Sequence, residues 1–296
     1  MRKFNLKGKA AERMKNPEGP SAAAGQAAAQ ATLSAGQTDH QPGIRVVWRT
    51  DVGRVRQTNQ DAVILGYGLA GVADGMGGHN GGEIASAGLR DGLLREICGK
   101  QPDIAILDEA VCKINLELWE RQEHDASLTG MGTTLTAVWP AEDEMLIAQV
   151  GDSRAYLIRG GEMRQITSDH SMVADMVRRG VLTEEQAACH PMRNYITRAV
   201  GTEDTIEVDM YRENREAGDR WLICSDGLYG QMSRETLAEL AAAEPAEDAA
   251  EMLMQTALNN GGKDNITLIL LMDDAGPKAG KKAPAGETDG QEGTEQ

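Results

Sequence analysis

Residues 62–79 read AVILGYGLAGVADGMGGH, and the fold turns on how the glycines in this stretch are used. Gly66, Gly68 and Gly71 fit the dinucleotide fingerprint G-x-G-x-x-G. That fingerprint needs a helix after it, so that a pyrophosphate meets a helix N-terminus. Here the apolar run 62–65 precedes the glycines and 69–73 follows them, and both read as short strands. Gly66-Tyr67-Gly68 is therefore a hairpin turn, and the unit is antiparallel β rather than a nucleotide-binding βα turn.

Working outward, 44–50 is β-rich and turns at Asp51-Val52-Gly53. After the hairpin, helical spacing of Ile84, Leu89, Leu93 and Ile97 predicts a helix over 82–98. Ile106, Val111, Ile114 and Leu118 predict a second over 104–124. Strands are expected at 133–139, 144–150, 155–158 and 163–166. The pattern turns helical over 171–189, broken at Gly180. Strands return at 206–211 and 220–224, helices at 234–243 and 246–258, and 265–272 closes as a buried strand. Strands and helices fall in separate runs, which makes the class α+β.

The chain has 296 residues, with both ends unlike the middle. Residues 1–43 are rich in Ala, Gln and Gly, and 274–296 have no aliphatic side chain larger than Ala. Neither end can bury enough apolar surface to offset chain ordering, so both read as disordered tails around a domain over 44–273. The formal net charge is −16. The two ends nearly cancel, so the middle is acidic, repels phosphate backbones, and argues against nucleic-acid binding. The four cysteines form no Cys-x-x-Cys pair and read as reduced, buried thiols. No apolar run is long enough for a membrane span, and the basic start has no h-region behind it. The reading is a cytoplasmic monomer.

The chemistry lies in aspartates beside glycine or small polar residues at strand ends: Asp74-Gly75, Gly151-Asp152-Ser153, Ser225-Asp226-Gly227 and Asp264-Asn265. The adjoining strands fix their backbones while the carboxylates emerge at the rim. A following glycine would allow unusual φ and expose a carbonyl. Taken singly, each Asp-Gly is equally well a turn. Taken as four, they supply the oxygen ligands that hard cations prefer, and no His/Cys cluster suggests zinc.

These residues also stand in ordered motifs. The segments 54–61 (RVRQTNQD), 74–79 (DGMGGH), 130–134 (GMGTT), 151–154 (GDSR), 225–227 (SDG) and 264–267 (DNIT) resemble the motif series of bacterial PPM (type 2C) metal-dependent serine/threonine phosphatases over about 44–272. Residues 169–201 resemble the flap that borders the active site in the bacterial branch. The resemblance implies a four-layer α-β-β-α sandwich of two antiparallel sheets flanked by helices, with a helical flap. It also implies two tightly bound Mn²⁺ or Mg²⁺ ions and a weaker third.

In that family's pattern Asp74 bridges two metals, with the Gly75 carbonyl on the first, and Asp226 and Asp264 hold the second. Asp152, with Asp226, matches the third-metal site, the alternative being a turn salt-bridged by Arg154. Asp61 reaches a metal through water. Gln60 stands where the family often has Glu and tunes the surroundings of that metal. Arg56 matches the substrate-phosphate arginine, or is a surface charge. Met76 occupies the place of the animal enzymes' proposed acid, leaving His79 as a candidate general acid or as a structural histidine. In the flap, Met176, Arg178 and Arg193 are the candidate substrate contacts. The implied partners are phosphorylated proteins, including a Ser/Thr kinase. The alternative is a non-catalytic PPM-like binding module. Cysteine phosphatases are excluded because no Cys-x5-Arg occurs, and P-loop enzymes because no Gly-Lys-Ser/Thr follows the glycines.

Overall fold

The computed structural model describes residues 29–33, 43–77 and 81–276. Among the described residues, twelve strands form two antiparallel sheets. The first contains β1 (Ala29–Leu33), β2 (Ile44–Asp51), β12 (Ile266–Asp273), β11 (Asp219–Cys224), β8 (Arg154–Arg159) and β9 (Glu162–Gln165), in that spatial order. The second runs β10 (Asp209–Asn214), β7 (Glu144–Val150), β6 (Leu135–Pro140), β4 (Leu69–Met76), β3 (Asp61–Gly66), with the short β5 (Gly132–Thr133) paired to β4.

The layering follows from period-2 alternation in strands that are apolar on both faces. On β6, Leu135, Ala137 and Trp139 pack with α1 (Gly81–Ile97) and α2 (Ile104–His124), while Val138 faces the other sheet. On β12, Leu268, Leu270 and Met272 meet α6 (Arg234–Ala241) and α7 (Ala246–Asn259), while Ile269 and Leu271 join the inter-sheet core. Every residue of β12 is buried. The result is the expected α-β-β-α sandwich. Among the described residues no helix is long and apolar enough to cross a membrane.

The hairpin is as expected: Tyr67 and Gly68 form the turn with φ of 50° and 83°, the positive pair that a type I′ connection requires. The helix over 104–124 begins where Asp103 accepts from the Ala105 and Ile106 amides.

Some elements differ from the sequence reading. Ala29–Leu33 lies within the stretch expected as tail, yet it pairs antiparallel with β2. Edge-strand pairing draws on backbone groups and needs no large side chains. At the other margins, the Asp274 amide donates to the Gly43 carbonyl and Asp274 pairs with Arg45; the remaining tail residues, 1–28, 34–42 and 277–296, fall outside the described residues. β10 lies later than 206–211, at Asp209–Asn214, because its pairing with β7 begins at Asp209, opposite Gln149. β4 runs past Ala73 to Met76, so Asp74 lies within the strand. A four-residue helix, α5 (Asp226–Tyr229), follows β11. Of the cysteines only Cys224 is buried; Cys98 and Cys189 are exposed and Cys112 is intermediate. Cys98 follows the end of α1 and Cys189 caps the C-terminus of the short flap helix 184–188, where no core covers them.

Candidate active site

One end of the sandwich collects aspartates from both sheets. The β3–β4 register sets Asp61 directly opposite Asp74. From the other sheet, β11 delivers Asp226 at the start of α5, and β12 is entered through Asp264. Asp152 sits in the loop where β7 of one sheet passes to β8 of the other.

Short polar side chains stitch this end together. Ser225 Oγ donates to Asp61 Oδ2 at 2.9 Å and accepts from the Thr267 amide at 3.1 Å. Asn265, nearly fully buried, donates through Nδ2 to the carbonyls of Val52 and Thr58 and accepts from the Gln60 amide at 2.8 Å. It thereby fixes the exposed loop that carries Arg56. Gln60 contributes through its main chain, its carbonyl accepting from the Gly75 amide and Ser86 Oγ.

Burial sets the electrostatics. It raises the Asp61 carboxyl to about 7, opposed by hydrogen bonds from Thr267 and Ser225 and assisted by the charges of Asp226 and Asp264. It raises Asp152 to about 8, with Asp226 and Asp169 adding to the effect, and Asp226 to about 6, with Asp264 adding. Asp74 is pushed well above the ordinary carboxylate range by burial and then by Asp61, Asp226, Asp152 and Asp264. Carboxylates that repel one another at close quarters favour either protons or a shared cation.

Two buried oxygens, Asp61 Oδ1 and Asp226 Oδ1, have no hydrogen-bond partner, and such orphans call for an ion or water. The donor set is entirely oxygen, which fits Mn²⁺ or Mg²⁺. Among the described residues, no three His, Cys, Asp or Glu side chains meet the spacing of a ready-made metal site. The aspartates are coupled by charge but not drawn in around one point. Arg56 Nη2 donates to Asp264 Oδ2 at 2.8 Å, with the arginine side chain 50% exposed. So open a pair is worth at most about 1 kcal/mol, leaving Arg56 available to another anion.

The glycines serve a different purpose from the one read in sequence. Gly75 and Gly227 are absent from the positive-φ positions. A Cβ on Gly75 would meet the Gly82 carbonyl at 2.1 Å, and one on Gly227 the Asn265 carbonyl at 1.9 Å. Close backbone approach, not unusual φ, requires glycine beside Asp74 and Asp226. Gly151, before Asp152, does have a positive φ of 97°.

Arg154 does not bridge to Asp152. Its guanidinium takes Asp169 in a two-pronged pair, with Nη2–Oδ2 at 2.7 Å, and stacks over the Tyr229 ring. His79 lies outside the described residues.

The flap comprises α3 (Met172–Arg178) and α4 (Glu184–Ala188), parted at Gly180 with φ 70°. Met176 is half-buried, its carbonyl accepting from the Val181 amide. Arg178 pairs with Asp175 and donates to the Asp169 carbonyl, tying it to the flap base. Arg193 is exposed. Ser225, Asn265, Gln149 and Tyr229 were assigned no role from sequence. For Gln149 and Asn265 the signal is a polar residue inside, or just before, an otherwise apolar strand; Ser225 follows β11, and Tyr229 ends the short helix α5.

The protein phosphatase 2C family model matches residues 53–270. The chain belongs to the protein phosphatase 2C family. It is 40% identical over 230 residues to the serine/threonine protein phosphatase PstP of Mycobacterium tuberculosis, covering 77% of this chain but 44% of that relative's length. It is 35% identical to the serine/threonine phosphatase stp of Listeria monocytogenes, covering 77% of this chain and 95% of the relative. Among type 2C structures, the catalytic domain of PstP in complex with two manganese ions superimposes with a TM-score of 0.72 at 37% identity, over 77% of this chain and 97% of that one.

Proposed function

We propose that this protein is a metal-dependent protein phosphatase that hydrolyses phosphoserine and phosphothreonine. The observation that carries the reading is the set of mutually repelling aspartates from both sheets, with two buried carboxylate oxygens unpartnered. The manganese pair in the PstP structure supports the same reading.

In this account Asp74 and the Gly75 carbonyl hold one cation, and Asp74, Asp226 and Asp264 hold the other. Asp61 acts through water with Gln60 beside it, and Asp152 with Asp226 holds a weaker third ion. Bound divalent cations lower the pKa of water to near neutrality and so supply a nucleophile for direct attack on phosphorus. Arg56 swings from its open pair with Asp264 to the substrate phosphate and offsets charge on its equatorial oxygens. His79 is the donor nearest in sequence for the leaving alkoxide. Met176, Arg178 and Arg193 border the path of the phosphopeptide. The working unit is 44–273, a cytoplasmic monomer whose substrates include proteins phosphorylated by a Ser/Thr kinase.

The test is phosphate release from a phosphothreonine peptide by the full chain after chelation, with Mn²⁺ added back. Release that depends on Mn²⁺ is expected. A folded protein that binds the peptide but releases nothing at any Mn²⁺ concentration is a binding module instead.

A further inference from the structure

The loop carrying Asp152 is held far more completely than a turn between strands needs. On β7, Met145 and Ile147 point into the inter-sheet core, and Gln149, two residues on along the same face, is fully buried where an apolar side chain would fit. A buried amide is costly unless all its groups are paired, and here each is. Nε2 donates to the Gly151 and Ser153 carbonyls, both at 2.9 Å, and Oε1 accepts from Thr136 Oγ1 at 2.6 Å.

From the flap base, the His170 amide donates to the Gly151 carbonyl, and His170 Nδ1 accepts from the Gly151 amide at 3.1 Å. Ser153 Oγ lies 2.8 Å from Thr134 Oγ1, which also accepts from the Asp74 amide. The remaining carbonyl, that of Asp152 itself, accepts from Tyr229 Oη at 2.9 Å. None of these bonds uses the Asp152 carboxylate.

Tyr229 is the member of this set that joins two aspartates. It ends the single turn of α5, whose first residue is Asp226, and residues three apart on one turn share a face. The same short turn therefore supplies one carboxylate and the hydroxyl that grips the backbone of the other. Its ring is fixed in turn beneath the Arg154 guanidinium, 3.7 Å from the ring centroid, and that guanidinium is locked by Asp169.

We propose that Tyr229 is a positioning residue for the weaker cation, its hydroxyl setting the separation of Asp152 from Asp226. The proposal rests on the third-cation reading of Asp152 given above. Without the hydroxyl, the Asp152 carbonyl loses its tie to α5, while the ring can remain under Arg154. The loop is still held by Gln149 and His170, so the defect is confined to the distance between the two carboxylates.

The experiment is calorimetric titration of Mn²⁺ alone into the chelated full chain, for the wild type, Tyr229→Phe and Asp152→Ala. Asp152→Ala should lose the weak binding phase and keep the tight one. Tyr229→Phe should keep the tight phase within about twofold and weaken the weak phase by about tenfold, the usual size of an outer-shell effect. The Mn²⁺ concentration giving half-maximal kcat should move by the same factor, with KM for a phosphopeptide unchanged. If Asp152→Ala removes the weak phase but Tyr229→Phe leaves it untouched, the positioning role is wrong and the third-cation reading stands. If the weak phase survives Asp152→Ala, both fall. If Tyr229→Phe weakens both phases equally, the hydroxyl supports the fold generally and the selective role is overturned.

Discussion

The aspartate rim and the flap border the same end of the molecule, but they are built on opposite plans. At the rim, each carboxylate is backed by a strand of the sandwich, and its neighbours are buried side chains such as Ser225, Asn265 and Thr267. The flap consists of two short helices closed at their stem by a Ser171–Ile196 bridge and joined to the body through a Thr133–Val200 bridge. It exposes Val181 and Tyr195 at 65% and 60%. Under the proposed function this difference would separate two tasks. Chemistry needs charges held against their own repulsion, which only a packed core can do. A surface that meets varied protein substrates needs to adapt, and can be held at its ends alone.

The largest effect should come from breaking the rim. Asp226→Asn should lower kcat by orders of magnitude while circular dichroism stays native, since a neutral amide binds Mn²⁺ poorly. Near-normal turnover would remove Asp226 from the chemistry.

A pH series sharpens the same point. Burial raises the carboxyls of Asp226, Asp61 and Asp152 to about 6, 7 and 8, so the neutral forms favour the folded state. The associated stability is present below the unfolded value of about 4 and is lost as pH rises through the folded values. The Tm of chelated protein should therefore fall from pH 5 to pH 8, and Mn²⁺ should restore it. A chelated protein that grows more stable over that range would contradict the electrostatic account.

Asn265→Ala should cost about 1 kcal/mol of stability, because the carbonyls of Val52 and Thr58 lose the hydrogen bonds from its side-chain amide. The freed Arg56 loop should also raise KM for phosphopeptides. Unchanged stability and KM would mean the loop is held without Asn265.

The smallest effects belong to the flap. Ala at Met176, Arg178 or Arg193 should lower kcat/KM several-fold for a phosphopeptide and leave p-nitrophenyl phosphate nearly unaffected. Equal losses on both substrates would erase the division of labour between flap and rim.

The contrast also governs what could be read in the sequence. The strands ending near Asp74, Asp226 and Asp264 announce themselves by apolar runs buried on both faces, and the hairpin by Gly66-Tyr67-Gly68. The sheet order was not legible from periodicity, since β12 lies between β2 and β11 through contacts far apart in the chain. It came with the family resemblance. β1 left no signal, because an edge strand pairs through its backbone and Ala29–Leu33 carries only one large apolar residue, Leu33. The reason for glycine at 75 differs from the unusual φ read in sequence, because close approach to Gly82 depends on how α1 packs, which no local pattern encodes. Gln149 and Tyr229 were passed over because a polar residue in a strand and a tyrosine in a one-turn helix gain meaning only from the loop they grip.

If aspartates from both sheets share cations, counting bound Mn²⁺ tests that sharing most directly. Equilibrium dialysis of the chelated full chain at pH 7.5 should give about two tightly held ions per chain. Asp74→Asn, which alters the strand residue opposite Asp61, should abolish that tight binding while the protein stays folded. Tight Mn²⁺ binding undiminished in Asp74→Asn would contradict the account.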